Sequence, residues 1–447
     1  MSLGDIQGPT STVPVIDARQ FKLMSAIVIA TLMAFALTII DLATGGRPDP
    51  PRLRAAATLL DGPWRFHTGD DPRWANPVFD DAGWETIDMT PPPGSHDGDV
   101  GRPDYLDGWA AHGHPDYHGY AWYRRAVTVP AAPTSWDILG PSLVEDGYEL
   151  YWNGERLGGS GRLGSHPRVV GTRPMRFVLP VDAAGTRGVI AIRSYMLQRS
   201  GPSERSGGMH SPPILAPHPV GAALHRAQWR RTIAGYIVDV IEPAGMVAVI
   251  GLAIGGWSRS RHKGFLAFAC IALALTATRR LNNAIASWTD LQALTTYSML
   301  ASVLWQPTIA TWMLAWNRWC GRAWRSIDAL AIALALLGLG GTLAHLQVCI
   351  SSSRYGSILL SAVIAARILR TRTLRGLAMA TLALLVLGLF GGELLDPLGV
   401  PGIWFPFGIG VSRTQYVYAL STPLLAFLIV LALAQGAQRH ADPAGKV

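Results

Sequence analysis

Long apolar segments divide the C-terminal half of the chain, and this feature limits the possible fold more than any other. A helix needs about 20 mainly apolar residues to cross the hydrocarbon core of a bilayer. The segments predict an all-α bundle of seven transmembrane helices over residues 231–437, in which the second and fifth spans are the shortest. The predicted spans are approximately 233–257, 263–279, 294–316, 327–349, 355–370, 374–395 and 415–436.

Basic residues are concentrated in alternate connections between these segments. Short cytoplasmic loops are enriched in Lys and Arg. We therefore expect these connections and the short tail 438–447 to be cytoplasmic in a multi-pass protein of the bacterial inner membrane. The basic connections contain Arg259, Arg261 and Lys263, then Arg318, Arg322 and Arg325, then Arg367, Arg370, Arg372 and Arg375, and finally Arg439 and Lys446. The intervening connections contain only Arg279 and Arg280, then Arg354, then Arg413.

A further apolar run covers Met24–Ile40 and follows Arg19 and Lys22. It is compatible with a cleaved signal peptide or with an uncleaved anchor. The polar stretch before it is long and no small-x-small cleavage pattern follows it, which favours a cytoplasmic tail and signal-anchor helix within residues 1–44. With either alternative, the residues that follow are expected on the periplasmic or extracellular side.

Residues 45–230 have the pattern of an exported β domain. Short alternating segments separated by turn residues every 8–12 positions are typical of an all-β sandwich. In YELYWNGERLGGSGRLG (148–164), Leu150 and Trp152 share one face, and Asn153-Gly154 fits a type I′ hairpin turn. Further strands are predicted at 120–129, 174–180 and 188–195.

Composition gives no indication of a cofactor or metal. The three cysteines, Cys270, Cys320 and Cys349, all lie in or beside apolar segments, which leaves the exported domain without a cysteine metal site. The net charge of +8 arises mainly from arginines in the membrane connections. The lipid bilayer is therefore an expected partner, and nucleic acid is not.

Four motifs follow one another within residues 60–154. They are an L-x-G-x-W-x-F strand and an F-D-D-x-x-W turn in LDGPWRFHTGDDPRWANPVFDDAGWETIDM (60–89), W-Y-R-R in GHPDYHGYAWYRRAVTVP (113–130), and W-N-G in the hairpin. Together they resemble the jelly-roll sugar-binding domain of family 2 glycoside hydrolases. This resemblance implies a galactose-binding-like fold and a carbohydrate-like or other envelope ligand.

A jelly roll ahead of seven helices resembles the bacterial seven-transmembrane receptors with diverse intracellular signalling modules. In that family an exported domain senses a ligand, and the bundle passes the signal to a cytoplasmic kinase, cyclase or phosphatase. About eleven residues follow the last predicted span here. The resemblance therefore implies that the output is a separate cytoplasmic signalling protein.

The segment DGWAAHGHPDYHGY (107–120) places aromatic, imidazole and carboxylate side chains together in a predicted loop. Loops at the rim of a sandwich carry function more often than strands do. A solvated loop without a ligand, or a loop that responds to metal or mild acid, are the alternatives to a ligand site. The candidate ligand-binding residues are Trp109, His112, His114, Asp116 and His118.

A second candidate site consists of ionisable residues in the outer halves of the predicted spans. Charged groups inside a membrane are costly and usually face the bundle interior. We expect a polar cluster beneath the exported domain, with Arg279 or Arg280 pairing with the acidic residues; the alternative is that these groups lie at the water interface. The cluster candidates are Asp239 and Glu242 in the first span, Arg279 and Arg280 at the end of the second, and Glu393 at the end of the sixth.

Three functions are compatible with this organisation. The preferred interpretation is a non-enzymatic receptor. The second is a non-catalytic scaffold or subunit of an envelope complex that recognises a protein or glycan and docks other membrane proteins. The third is a membrane enzyme of envelope glycans, for which only Asp239, Glu242 and Glu393 are candidate catalytic groups and no motif is present.

Overall fold

The computed structural model describes residues 51–95, 104–132, 134–171, 173–198, 206–371, 374–395, 397–398, 403–405, 409–411 and 413–441. The predicted signal anchor and the last six residues lie outside these ranges. Within them, a β-sandwich-like region precedes a helical region.

Two antiparallel sheets form the sandwich, which follows the short helix α1 (Pro51–Ala55). Its strands are β1 (Thr58–Leu59), β2 (Pro63–Thr68), β3 (Glu85–Asp88), β4 (Gly119–Thr128), β5 (Trp136–Leu139), β6 (Val144–Glu145), β7 (Gly147–Trp152), β8 (Glu155–Ser160), β9 (Arg176–Val178), β10 (Arg187–Met196), β11 (Gly208–Met209) and β12 (Ile214–Pro217). The strand orders are β1-β12-β5-β9 and β3-β2-β4-β10-β7-β8, and β6 pairs with β11. The two sheets bury large side chains between them, including Trp64, Tyr123, Ile138 and Ile192.

The structure confirms the predicted hairpin. Strands β7 and β8 pair antiparallel, and Asn153 and Gly154 between them have φ angles of 48° and 90°. Positive φ at both central residues is the requirement of a type I′ turn. Leu150 and Trp152 are buried in the inter-sheet core, as the alternation indicates.

The turn that contains Asp80 and Asp81 covers part of the outer face of the larger sheet. Trp84 packs there against Trp122 in a small second core. Arg124 is 1% exposed and donates from Nε to Asp81 Oδ2 at 2.8 Å. Asp80 Oδ1 accepts from the Ala82 amide and closes the turn, and Asp81 holds the buried arginine.

A helix is present at each of the seven predicted span positions. The helices are α2 (His218–Gly235), α3 (Val238–Gly255), α4 (Lys263–Trp288), α5 (Leu294–Trp319), α6 (Arg325–Leu343), α7 (Gln347–Ile368), α8 (Arg375–Leu389), α9 (Gly391–Leu394) and α10 (Arg413–Ala441). In the described part of the chain, five helical stretches are long and apolar enough to cross a membrane: His218–Gly255, Lys263–Trp288, Arg325–Leu343, Gln347–Ile368 and Val417–Gln435. A short pair of strands, β13 (Ile403–Phe405) and β14 (Ile409–Val411), precedes α10.

Several helix limits differ from the prediction. Helix α4 continues to Trp288, so Arg279 and Arg280 lie inside it and not at its end. Helix α7 begins at Gln347, which brings Arg354 from a predicted connection into a helix. Polar residues at these ends interrupt the apolar pattern, so the lengths of the apolar segments did not predict the observed helix limits. In addition, α2 begins at His218, well before the domain limit expected at residue 231.

Close packing of α8 against α10 depends on Gly388. A Cβ atom there would lie 2.7 Å from Tyr418 Cβ and 2.8 Å from Tyr418 Cα. Small residues allow such close approach between membrane helices. We predict that Gly388→Ala lowers the free energy of unfolding by about 1–3 kcal/mol through overpacking, measured by SDS titration of the purified protein. Gly376→Ala in the same helix is the control, because nothing lies within 4 Å of its added Cβ; equal effects of the two changes would contradict this explanation.

Candidate functional site

The first connection between the sandwich and the bundle is helix α2. It continues directly from strand β12 and packs Leu224 against Leu139 and Ala216 on the smaller sheet. Its first residue, His218, contacts Asp137 Oδ1 through Nδ1 at 2.9 Å, and Arg176 donates to Asp137 Oδ2 at 3.0 Å. Asp137 is fully buried on β5. The start of the helix is therefore fixed to the sheet.

Helix α2 leads straight into the bundle. Only Tyr236 and Ile237 separate it from α3, and both helices belong to one helical stretch of 38 residues, His218–Gly255. The smaller sheet is therefore joined to the start of α3 by a helix and a two-residue connection.

The second connection is the turn between α4 and α5. The Leu294 amide donates to the Val169 carbonyl of the sandwich at 2.9 Å. A Cβ atom on Gly171 would lie 2.8 Å from the Ala286 carbonyl oxygen, so glycine permits a close approach of the two backbones. Arg173 and Asp290 form a further ion-pair contact at 3.8 Å. The sandwich therefore holds the end of α4 as well as the start of α3.

A buried ion-pair cluster joins these two helices. Arg280 on α4 contacts Asp239 Oδ1 at 3.2 Å through Nη1 and Glu242 Oε2 at 2.9 Å through Nε. The Asp239 side chain is fully buried, and those of Glu242 and Arg280 are 6% and 12% exposed. Of the five predicted cluster residues, the structure brings these three together, and Arg280 is the residue that pairs with both carboxylates.

The two carboxylates differ in how well they are satisfied. Asp239 accepts hydrogen bonds from Arg280 and from Asn283 Nδ2, the latter at 2.5 Å. Asn283 in turn accepts one from the Tyr297 hydroxyl at 3.0 Å. Both oxygens of Glu242 are buried and accept no hydrogen bond from the described residues. Glu242 is therefore held by charge alone, and a buried polar group without hydrogen bonds requires an explanation.

Arg279 and Glu393 belong to a second group, centred on Trp305. The Arg279 guanidinium lies 4.4 Å from the Trp305 ring centroid, and that of Arg354 lies 5.9 Å from it. Arg354 pairs with Glu393, with Nε and Oε1 2.6 Å apart. The consecutive residues Arg279 and Arg280 thus contact different groups of side chains.

Both groups lie toward the end of the bundle that faces the sandwich. At a rise of 1.5 Å per residue, Asp239 lies about 24 Å along α3 from the far end of that helix at Gly255. Arg280 lies about 25 Å along α4 from the far end of that helix at Lys263. These distances match each other, as direct contact requires, so the cluster lies near the sandwich-facing ends of both helices.

The predicted ligand residues of the 107–120 segment are divided between core and surface. Trp109 is 1% exposed in the inter-sheet core and donates its indole N–H to the Tyr117 carbonyl. His114 is partly buried between Phe66 and Tyr117 and contacts Glu85 Oε2 at 2.9 Å. Trp109 is therefore a core residue and not a ligand contact, which corrects that part of the expectation.

The remaining predicted ligand residues, His112, Asp116 and His118, are exposed. The structure gathers no group of three or more His, Cys, Asp or Glu side chains suited to a metal ion in the described ranges. A ligand site at these three exposed residues stays a prediction.

The outer face of the larger sheet carries a satisfied ionic network. Arg193 donates to Asp70 and to Glu149, and stacks 4.3 Å from the Tyr120 ring centroid. Glu149 also accepts from the Tyr151 hydroxyl at 2.8 Å. Burial, followed by the hydrogen bond to Glu149, raises the pKa of Tyr151 to about 12. These groups already bind one another, so we assign them to stability.

A small open cleft lies between the sandwich and α2. Its polar lining includes Ser142 and Ser211 from the sandwich and Gln228 and Thr232 from α2, and the Arg54–Asp104 ion pair stands beside them. A molecule in this cleft would touch both the sandwich and the helix that leads to Asp239.

Similarity to solved structures is low. The matches include a Bacteroides uniformis beta-glucuronidase (22% identity, TM-score 0.26, 36% of this chain and 17% of that chain) and a family 2 glycosyl hydrolase of Bacteroides cellulosilyticus DSM 14838 (17%, 0.26, 36% and 20%). A Faecalibacterium prausnitzii beta-glucuronidase also matches (18%, 0.24, 36% and 31%). The chain spans less than a third of each enzyme. Neither a family model nor a curated protein matches the chain.

The opposite end of the bundle uses some of its basic residues internally. Arg318 makes two hydrogen bonds to Asp328, of 2.9 and 3.1 Å. Arg367 is buried, bonds Asn317 and stacks 4.2 Å from the Trp324 ring centroid. The exposed basic residues that remain there include Lys263, Arg322, Arg325, Arg370 and Arg375.

Proposed function

We propose that the chain is a receptor-like protein of a bacterial inner membrane. Its sandwich binds a carbohydrate-like or other envelope ligand on the outer side, and its bundle relays binding to a separate cytoplasmic signalling partner. The observation that carries this proposal is that Arg280 ion-pairs across α3 and α4, the two helices that the sandwich holds.

The relay works through the geometry of that ion pair. A ligand shifts a two-state equilibrium only if it binds one arrangement better than the other. A ligand that changes the angle between the smaller sheet and the 289–293 turn moves α3 relative to α4. The contacts of Arg280 with Asp239 and Glu242 are then lengthened or shortened. Packed helices respond by switching between discrete arrangements, which carries the change to the opposite end.

The partner docks on the exposed basic surface of the opposite end. Lys263, Arg322, Arg325, Arg370 and Arg375 supply its positive charge. Arg318 and Arg367 hold neighbouring helices together through Asp328, Asn317 and Trp324. An acidic surface on the partner complements this charge and speeds association.

The first experiment is purification of the full chain from its native membrane in a gentle detergent, with bound proteins identified by mass spectrometry. We expect a kinase, cyclase or phosphatase to co-purify. The control is a variant in which Arg322, Arg325, Arg370 and Arg375 are replaced by Ser, which should release that partner. Recovery of envelope-assembly proteins without any signalling enzyme would contradict the receptor proposal and favour the scaffold.

Glu242→Gln tests the relay itself. The protein should stay folded, because Asp239 still accepts hydrogen bonds from Arg280 and Asn283. We expect the amount of co-purified signalling partner to change by about fivefold or more, the lower range of common coupling energies. Glu155→Gln on the exposed end of β8 is the matched control. Equal recovery from wild type and Glu242→Gln would exclude Glu242 from the relay.

A further inference from the structure

Arg279 has no carboxylate at ion-pair distance among the described residues, although its neighbours do. Arg280 pairs with Asp239 and Glu242, and Arg354 pairs with Glu393. The structure gives Arg279 neither an ion pair nor a hydrogen bond within the described ranges, and its Nε atom is buried. Its one specific contact is the stacking on Trp305. An arginine in an apolar helix is expensive unless its charge is compensated.

The position of Arg279 leaves its donors available to a ligand. Stacking on Trp305 engages the face of the guanidinium, whereas its N–H donors point outward from the edge of the plane. The residue is only partly buried. Its Cα lies about 24 Å along α4 from Lys263, within reach of the headgroup level of the leaflet on the sandwich side.

The hydrogen-bonding geometry of Arg279 favours an anion. Arg279 and Arg354 both lie against the Trp305 ring, and Glu393 pairs with Arg354. Asp239 and Glu242 act on Arg279 through space but are in contact with Arg280, so the donors of Arg279 have no acceptor among the described residues. The planar fork of an arginine matches a phosphate or carboxylate with two parallel hydrogen bonds.

We propose that Arg279, supported by Trp305, binds a phosphate oxyanion at the sandwich-facing end of the bundle. The oxyanion is supplied by the headgroup of an anionic lipid or by a free phosphate, and it accepts the hydrogen bonds for which the described residues provide no acceptor. This site is separate from the Arg280 cluster, so its test does not depend on the receptor proposal.

The test uses the full chain in nanodiscs of phosphatidylglycerol and phosphatidylcholine, with retained lipids counted by native mass spectrometry. We expect Arg279→Met to reduce retention of one phosphatidylglycerol by about tenfold or more, since charge-assisted hydrogen bonds are lost. Arg279→Lys, which keeps the charge without the fork, should restore part of it. Arg230→Met, at an exposed arginine of α2, is the matched control and should change nothing.

A second arm separates the two sources of phosphate. Inorganic phosphate is titrated by calorimetry into nanodiscs of phosphatidylcholine alone. Binding that Arg279→Met abolishes, with lipid retention unchanged, would assign the site to a free phosphate. Loss of lipid retention without phosphate binding would assign it to a headgroup. If Arg279→Met and wild type behave alike in both arms, the site is excluded, whatever signalling partner co-purifies.

Discussion

Arg280→Met should lower the free energy of unfolding by about 3–5 kcal/mol, the usual cost of leaving a buried charge without its partner. Asp239 is fully buried and Glu242 nearly so, and Arg280 is the cation in contact with both. Its removal would leave two carboxylates close together in an apolar environment, and each would repel the other. SDS titration of the purified protein in mixed micelles measures the change.

The adjacent Arg279 provides a matched control. Arg279→Met removes a side chain of the same size at almost the same depth in the membrane, but one whose specific contact is with the Trp305 ring. A cation–π contact contributes about 0.5–2 kcal/mol, so the loss should be clearly smaller. Equal losses for the two variants would show that depth, and not ion pairing, sets the cost.

Neutralising the acidic partners gives a second check on the same explanation. Replacing a whole buried ion pair is often neutral, whereas removing one partner is not. Adding Asp239→Asn and Glu242→Gln to Arg280→Met should therefore recover most of the lost stability. A triple variant less stable than Arg280→Met alone would show that these residues contribute through packing.

The features of the sandwich that could be predicted are those that depend on neighbouring residues in the sequence. The Asn153-Gly154 turn and the alternation of Leu150 and Trp152 depend only on backbone geometry and on the period of a strand. Trp109 was not predictable in this way. Composition indicates a loop, but it does not reveal that a short turn ending at Gly113 directs this indole back into the core.

The bundle illustrates the same limit for charged residues. The cost of charge in a membrane identified Asp239, Glu242, Arg279 and Arg280. It could not identify which arginine forms the pair, because successive residues point about 100° apart around a helix and only the packed rotation of α4 decides. The partner of Glu393 was missed because Arg354 follows a polar run that does not read as apolar helix.

The contact between His218 and Asp137 was not predicted from the sequence. A lone Asp in WDIL gives no indication that a helix will begin against it 81 residues later. In the structure the carboxylate faces Gly221 of α2, where a Cβ atom would lie 2.6 Å from Oδ2. Because a Cβ atom would clash with the carboxylate, glycine is the residue that fits this position in the first turn of α2.

Asp137→Ala should therefore loosen the join between the sandwich and α2. It removes the acceptor shared by Arg176 and His218, and two charge-assisted contacts are lost at 3.0 and 2.9 Å. Because both partners are partly exposed, water replaces some of the loss, and we expect about 2–3 kcal/mol. SDS titration measures this change too.

Coupling should suffer more than stability from Asp137→Ala. Once α2 is no longer fixed to β5, movement of the smaller sheet is transmitted weakly to Asp239 on α3. We expect recovery of the signalling partner to shift in the same direction as in Glu242→Gln. Asp182→Ala, at an exposed aspartate of the sandwich, is the control. A variant with lowered stability but wild-type partner recovery would mean that the signal passes through the turn between α4 and α5, where Leu294 bonds Val169, and not through α2.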